Sequence, residues 1–137
     1  DAMPQHVVNS FLKDLVSSKQ DSSAKRILIL GFSFKENCPD FRNTKILDIV
    51  KLLESYDLVV DIHDSWVDSS KVLQELELNI VTNFNDLELG TYSGIIVACA
   101  HDEYIEKAAE IPKLGVENCV IHDLKHVLDR DLVDRRL

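Results

Sequence analysis

Glycine, proline and cysteine are scarce in this chain of 137 residues, with four, three and three occurrences. No G-x-G-x-x-G follows any apolar run, so the sequence excludes the usual glycine-rich loop that binds dinucleotides. The cysteines, Cys38, Cys99 and Cys119, are odd in number and lack C-x-x-C spacing. This usage predicts reduced thiols in a cytoplasmic protein, with Cys99 and Cys119 in the core.

Long apolar runs and an excess of positive charge are also missing. No run approaches the ~20 residues of a membrane span, and no signal-peptide pattern opens the chain, so we expect neither a membrane partner nor export. The net charge of −9 excludes the basic surface that non-specific nucleic-acid binding requires. Apolar residues make up 45% of the chain, which is enough for the core of one compact domain.

What the sequence does contain is an alternation of short apolar runs with amphipathic segments. The runs predict strands at 27–30, 58–62, 79–82, 95–100 and 118–121, and helical spacing predicts helices at 3–18, after the loop 32–43, at 69–76 and from 101. Asn43 or Thr44 and then Asp68 are suited to cap two of them. The charged tail could add a helical turn. The alternation predicts an α/β fold: a Rossmann-like parallel sheet in the order 3-2-1-4-5, with helices on both faces.

The stretch KRILILGFSFKENCPDFR, residues 25–42, organises the prediction. Its apolar run ends at Gly31, and the polar loop that follows faces the crevice where open α/β sheets bind ligands. Lys35 and Arg42 in that loop indicate an anionic ligand, of which phosphate is the usual one. The alternative is an exposed lysine and an Asp40–Arg42 ion pair that shapes the loop. Of Phe32 and Phe34, we expect at least one to pack in the core under the loop, while one could face a ligand.

Histidines supply the remaining candidates. His101, at the end of the fourth strand, could touch a ligand or act as a base, but a capping or ion-pair role with Asp102 is the simpler interpretation. His63 fits the core or an interface. His122 and His126 lie four residues apart with no obvious third ligand, so we expect no metal site.

The run GFSFKENCPDFRNTKILDIVKLLE resembles the C-terminal, UDP-binding domain of the UDP-glucose/GDP-mannose dehydrogenase family. That family shows a G-x-[ST/A]-F-K loop and then D-x-R-x-S. The residues that match are Gly31, Phe34, Lys35, Asp40, Arg42 and Thr44. The chain departs from the pattern after Arg42, where Asn43 and Thr44 replace the usual Glu and Ser. The segments DSWVD (64–68) and AHDE (100–103) are closer to the UDP-N-acetylhexosamine 6-dehydrogenases.

The resemblance implies roles for several parts of the chain. Residues 1–20 would be the C-terminal part of a central linking helix, and residues 21–137 the UDP-sugar-binding domain. The implied substrate-binding residues are Phe34, Lys35, Arg42 and Lys125. No catalytic residue and no cofactor site is implied here, because the family's catalytic thiol and its NAD-binding domain lie N-terminal to this segment.

For the intact enzyme, the resemblance implies an NAD-dependent oxidation of a sugar C6 hydroxyl to a carboxylate. It proceeds through a cysteine thioester, and its uronic acid products serve surface polysaccharides. A homodimer or higher homo-oligomer is expected. The alternative is a non-catalytic α/β binding or dimerisation module, using the apolar stripe of helix 3–18. A receiver-like module would need acidic residues where Phe32–Lys35 stands.

Overall fold

A computed structural model describes residues 2–20, 25–42 and 44–136, with Thr44 described by its backbone alone. The helices are α1 (Met3–Ser17), α2 (Thr44–Ser55), α3 (Ser69–Leu76) and α4 (Asp102–Glu106). The strands are β1 (Arg26–Leu30), β2 (Val59–His63), β3 (Ile80–Val81), β4 (Tyr92–Val97), β5 (Gly115–Asp123) and β6 (Arg135–Arg136). Short 3₁₀ turns occupy Phe84–Asp86, Ile111–Leu114 and Arg130–Leu132.

The strands form one parallel sheet in the order β3-β2-β1-β4-β5-β6. The predicted α/β class and the predicted order of the first five strands are confirmed. The sixth strand was not predicted, because its two arginines carry no apolar signal. It pairs with the end of β5. The helical turn suggested by Leu124, Val127 and Leu128 is not helical in the structure, where residues 124–125 form a turn.

Two apolar layers cover the two faces of the sheet, because successive side chains of a strand point to opposite faces. In β1, Ile27 and Ile29 pack with α1 and α2, while Leu28 and Leu30 pack with the layer that contains Tyr104 and Ile111. These four side chains are fully buried, whereas Arg26 at the start of β1 is exposed. The short continuous apolar run was therefore a central strand, as predicted.

Three of the predicted strands differ from the observed bounds by at most one residue at either end, and the other two differ by more. The fourth strand was predicted at 95–100, but β4 begins at Tyr92 and ends at Val97, and the chain beyond it leaves the sheet while still buried. The fifth strand is longer than predicted and begins at Gly115 instead of after it. An apolar run reports burial, and burial continues past the last ladder hydrogen bond.

Helix α1 lies across the sheet and uses its apolar stripe inside the chain. Val8, Phe11 and Leu15 are buried, as expected, and the Phe11 ring meets the His122 ring edge-on at 5.1 Å between centroids. A Cβ at Gly94 would lie 2.2 Å from the Phe11 ring, so the glycine makes room for this helix. The stripe is therefore not left exposed for a second chain.

The N-terminal cap of α3 is the one predicted. The Asp68 carboxylate accepts hydrogen bonds from the Ser70 and Lys71 backbone N–H groups at 3.0 and 3.3 Å. The caps expected at Asn43 or the Thr44 side chain lie outside the described residues. Within the ranges given above, no helix is long and apolar enough to span a membrane.

Candidate functional site

Gly31 begins the loop that carries the predicted ligand-binding residues. Its φ is +103°, a conformation that side chains rarely adopt, and a Cβ there would lie 2.3 Å from the Cβ of Cys99. The Ala98 N–H donates to the Leu30 carbonyl at 2.8 Å, which keeps the ends of β1 and β4 side by side. The absence of a side chain at Gly31 therefore lets the loop leave the sheet directly over the end of β4.

A cleft of about 350 Å³ opens at this edge of the sheet, outside the carboxyl ends of β1 and β4. Its floor is Ala98, Cys99 and Ala100. Its walls come from the loop, the start of α2, the turn after β5 and the first residue of α1; they are Phe34, Lys35, Glu36, Arg42, Lys45, Ile46, Leu124, Lys125 and Met3. Four cations face one carboxylate here, in a protein whose net charge is −9.

The structure brings all four of the predicted ligand-binding residues to this cleft: Phe34, Lys35, Arg42 and Lys125. The two loop phenylalanines divide as expected. Phe32 is fully buried, whereas Phe34 is 60% exposed. Among the residues that the structure describes, neither Lys35 nor Lys125 has an ion-pair partner, so both ammonium groups are available to an anion.

Arg42 has a partner already. Its guanidinium donates to both carboxylate oxygens of Asp40, with the shortest contact 2.6 Å from Nη2 to Oδ2, and the Arg42 backbone N–H also donates to Oδ1. These hydrogen bonds lower the pKa of Asp40 to about 2. The loop-shaping ion pair therefore exists, and the Arg42 side chain, 86% exposed, still faces the cleft.

Lys45 lines the cleft but was not predicted. It stands in the first turn of α2, and this turn lies at the same edge of the sheet as the cleft. An anion there interacts favourably with the helix dipole as well as with the lysine. A basic residue just inside a helix that follows a crevice loop was the signal that could have found it.

Lys125 is presented by a turn that a buried carboxylate shapes. Asp123, fully buried at the end of β5, accepts from the Lys125 backbone N–H at 3.2 Å and from the Leu128 N–H at 2.7 Å. His126 between them has a φ of +58°. The turn that results places residues 124 and 125 at the cleft.

Behind the loop, the carboxylate of Asp64 is fully buried just after β2 and accepts six hydrogen bonds. Oδ2 accepts from the backbone N–H groups of Phe32 and Ser33, from the Ser33 hydroxyl and from His101 Nε2, at 2.7–2.9 Å. Oδ1 accepts from the N–H groups of Trp66 and Val67. Burial alone would raise the pKa of Asp64, but these bonds, led by the one from His101, hold it well below its usual value.

His101 bridges Asp64 to the middle of the loop. Its Nδ1 accepts from the Asn37 backbone N–H at 2.9 Å, and the Asn37 side-chain oxygen accepts from the Asp102 N–H at 3.1 Å. Burial lowers the pKa of His101, whereas the Asp64 carboxylate acts in the opposite direction and raises it. The Asn37 N–H opposes protonation, since it needs the lone pair of Nδ1.

The grouping of Ser33, His101 and Asp64 is not a nucleophilic triad. The Ser33 hydroxyl is 1% exposed and donates to the carboxylate, so its oxygen is neither accessible nor activated by a base. The predicted capping or ion-pair role of His101 with Asp102 is wrong: His101 makes no side-chain cap, and its Nε2 lies 2.9 Å from the Asp64 carboxylate instead. This arrangement can hold a loop and does not resemble a reacting centre.

His63 and His122 make contacts within the fold rather than at the cleft. His63 is buried, with Nδ1 2.8 Å from the Tyr104 hydroxyl, and His122 Nε2 lies 2.8 Å from Asp14 Oδ2. No group of three metal-binding side chains occurs in the described part of the chain. All three cysteines are free thiols.

Comparison with known proteins gives the family. Residues 28–130 match the description "UDP-glucose/GDP-mannose dehydrogenase family, UDP binding domain". The chain is 41% identical to the UDP-N-acetyl-D-glucosamine 6-dehydrogenase of Pseudomonas aeruginosa and 38% identical to that of Salmonella typhi. In both cases the match covers 100% of this chain and 32% of the relative. The chain therefore spans about a third of the length of these relatives.

Solved structures agree on the fold. An NDP-N-acetyl-D-galactosaminuronic acid dehydrogenase from Methanosarcina mazei superposes with a TM-score of 0.79 at 24% identity, over 95% of this chain and 26% of that one. The family match spans the loop, the cleft floor and the turn that carries Lys125. The chain belongs to the UDP-glucose/GDP-mannose dehydrogenase family and corresponds to its UDP binding domain.

Proposed function

We propose that the cleft binds the diphosphate of a UDP-sugar, with Lys35 and Lys125 as its direct cationic contacts. The observation that carries this proposal is the convergence of four cations on one cleft of a protein with a net charge of −9. Two of the four have no partner of their own in the described chain, and charge-assisted hydrogen bonds to phosphate are the strong ones.

The other lining residues suit the rest of such a ligand. Phe34 offers an exposed aromatic face for a base or sugar ring. Arg42 reaches the cleft while its carboxylate partner fixes its direction, and Lys45 adds charge at the N-terminus of α2. A neutral sugar or a peptide would not require this concentration of cations.

The whole protein would be an NAD-dependent UDP-N-acetylhexosamine 6-dehydrogenase that makes uronic acids for surface polysaccharides. The two relatives at 41% and 38% identity carry the name UDP-N-acetyl-D-glucosamine 6-dehydrogenase, which supports the N-acetylhexosamine branch. NAD would bind in a segment that corresponds to the remaining two thirds of those relatives. Residues 1–20 would continue a helix linking the two parts, and the free thiols support a cytoplasmic setting.

Titration with UDP tests the proposal directly. In amide-resolved NMR spectra of the chain, UDP should shift residues 34–37 and 124–126, and uridine at the same concentration should not. Lys35→Ala should weaken UDP binding, whereas Lys71→Ala on α3 serves as the matched control, because Lys71 is exposed and does not line the cleft. Equal shifts from uridine, or UDP shifts confined to other surfaces, would contradict a diphosphate site here.

The homodimer or higher homo-oligomer expected from the sequence remains a prediction. The apolar stripe of α1 is used within the chain, so an assembly would have to use other surfaces. Light scattering after size exclusion measures the state directly. The dimerisation-module alternative has lost the exposed stripe on which it depended.

A further inference from the structure

We propose that Asp64 and His101 are positioning residues that hold the cleft loop from behind, and that they thereby set the place of Lys35. This inference rests on the proposed function, because the position of Lys35 matters for binding only if Lys35 contacts the diphosphate. It concerns two residues that do not line the cleft and that sit 37 positions apart in the chain.

The loop is held at two points, and Phe34 and Lys35 lie between them. The first point is Asp64 Oδ2, which accepts from the N–H groups of Phe32 and Ser33 at 2.7 and 2.9 Å. The second is His101 Nδ1, which accepts from the Asn37 N–H at 2.9 Å. Residues 34–36, between the two points, are exposed and face the cleft.

The two points are one device, because His101 Nε2 lies 2.9 Å from Asp64 Oδ2. That bond orients the imidazole ring so that Nδ1 faces the loop, in the way a carboxylate orients a histidine in other sites. Both side chains are 0% exposed, so water cannot take the place of either hydrogen-bond partner without opening the core. The ring also lies against Tyr104 and Trp66, at 5.4 and 6.4 Å between centroids.

The hydrogen bond from the Asn37 N–H to His101 requires the neutral imidazole with its proton on Nε2. A backbone N–H can donate to Nδ1 only when Nδ1 carries a lone pair, so the ring must donate to Asp64 from Nε2. The other groups facing the ring are the Ser33 hydroxyl at 3.2 Å and Cys99 Sγ at 3.9 Å. Asn37 meets the ring with a φ of +53°, a conformation that asparagine tolerates better than most residues.

Two amide substitutions of His101 separate the two bonds. The amide of asparagine occupies the place of Nδ1, so His101→Asn can still accept from Asn37 but cannot reach Asp64. The amide of glutamine occupies the place of Nε2, so His101→Gln can still donate to Asp64 but leaves Asn37 without an acceptor. Asn37→Gly removes the side-chain acceptor of the Asp102 N–H but keeps the backbone N–H and tolerates the positive φ, so it tests the backbone bond without the side chain.

The experiment measures amide exchange at Asn37, UDP affinity and the melting temperature for all four proteins. In His101→Gln we expect Asn37 to exchange at least about fivefold faster and UDP to bind about fivefold to tenfold more weakly, the worth of one backbone hydrogen bond. His101→Asn and Asn37→Gly should retain more of the amide protection at position 37 and more of the UDP affinity than His101→Gln does. Affinity is compared far below each melting temperature, where every protein is folded.

Three results would overturn the inference. One is fast exchange at Asn37 in His101→Gln with UDP affinity unchanged. Another is protection at Asn37 that persists in His101→Gln. The third is an equal loss of affinity in the asparagine and glutamine variants that follows only their melting temperatures. If the wild-type chain binds no UDP, the proposed function fails by itself, and exchange at Asn37 still decides whether His101 holds the loop.

Discussion

At the scale of single residues, Gly31 shows how backbone freedom creates the site. The loop can turn over the end of β4 because no side chain separates Gly31 from Cys99. The Gly31 N–H also donates to the His63 carbonyl at 2.8 Å, which prolongs the β1–β2 pairing by one residue. The cleft floor and the loop therefore share one point of close approach.

Gly31→Ala should destabilise the chain strongly. The new methyl would have to displace the backbone of residue 99, and the φ of +103° is unfavourable for alanine, so we expect a loss of about 2–4 kcal/mol in the free energy of unfolding. Urea denaturation measures it. Gly90→Ala is the matched control: its φ is +62° but its surroundings are open, so it should cost only about 1 kcal/mol. Equal costs would mean that the contact with Cys99 is unimportant.

Lys35 is the residue whose loss should affect binding and little else. Its side chain is exposed and has no partner in the described chain, so Lys35→Ala should leave the melting temperature unchanged. A charge-assisted hydrogen bond contributes roughly 1.5–3 kcal/mol, so in the full-length protein the apparent constant for the UDP-sugar should rise about tenfold to a hundredfold. The constant for NAD should change far less.

Steady-state kinetics with both substrates varied, beside thermal melts, checks this. Turnover should fall too, because binding energy that aligns the sugar would be lost. Unchanged UDP-sugar kinetics would assign Lys35 a structural role. An early melt together with weaker binding of both substrates would show that the loop is a folding element.

At the scale of elements, the Asp64 carboxylate joins three strand ends: those of β1, β2 and β4. Its hydrogen bonds reach the segments that follow each of these strands, and they lower its pKa below the ordinary 3.8. A carboxylate of this kind stabilises the fold above its unfolded pKa and ceases to do so as the pH falls through its folded pKa. Acid should therefore loosen this edge of the sheet.

Asp64→Asn should lower the free energy of unfolding by about 3–5 kcal/mol at neutral pH, as expected when a buried carboxylate that accepts six hydrogen bonds loses its charge. The difference in the free energy of unfolding between wild type and variant should narrow as the pH falls from about 4 toward 2, because the unfolded wild-type chain then takes up a proton at Asp64 that the folded chain does not. Urea unfolding across pH 2–7 measures this difference, and a constant difference would contradict the assignment.

At the scale of the whole molecule, the sequence contains no G-x-G-x-x-G, the usual glycine-rich loop for a dinucleotide. The cleft is lined by four cations, the Glu36 carboxylate, the Cys99 thiol and apolar groups. Cys99 in the floor is 3% exposed. Under the proposed function, this part of the protein would bind the UDP-sugar, and the oxidation would take place in the remaining part.

The isolated chain should consequently produce no NADH from UDP-N-acetylglucosamine and NAD. Absorbance at 340 nm measures this, and the full-length protein under the same conditions is the positive control. NADH production by the pure chain would contradict both the interpretation of the missing loop and the division of labour proposed above.

Features of the fold and of the cleft could be predicted from the sequence where neighbouring residues along the chain determine them. Short apolar runs and the helical period of 3.6 predicted the α/β class, because burial leaves a local pattern in the sequence. The order of the first five strands was predicted from the alternation of strands and helices. Lys35 and Phe34 could be placed in the site because they follow the end of a buried strand directly. Asp68 could be assigned as a cap because its partners are two and three residues away.

Tertiary structure alone decided what unites distant segments. Asp64, His101 and Ser33 are separated by 31–68 residues and meet only because parallel crossovers bring the ends of three strands to one edge. Lys45 joins the cleft because α2 starts there, and β6 forms because β5 offers a free edge rather than because its arginines favour a strand. The sequence by itself determined the elements and the chemistry of the loop; the packing of those elements determined which side chains stand behind that loop and hold it.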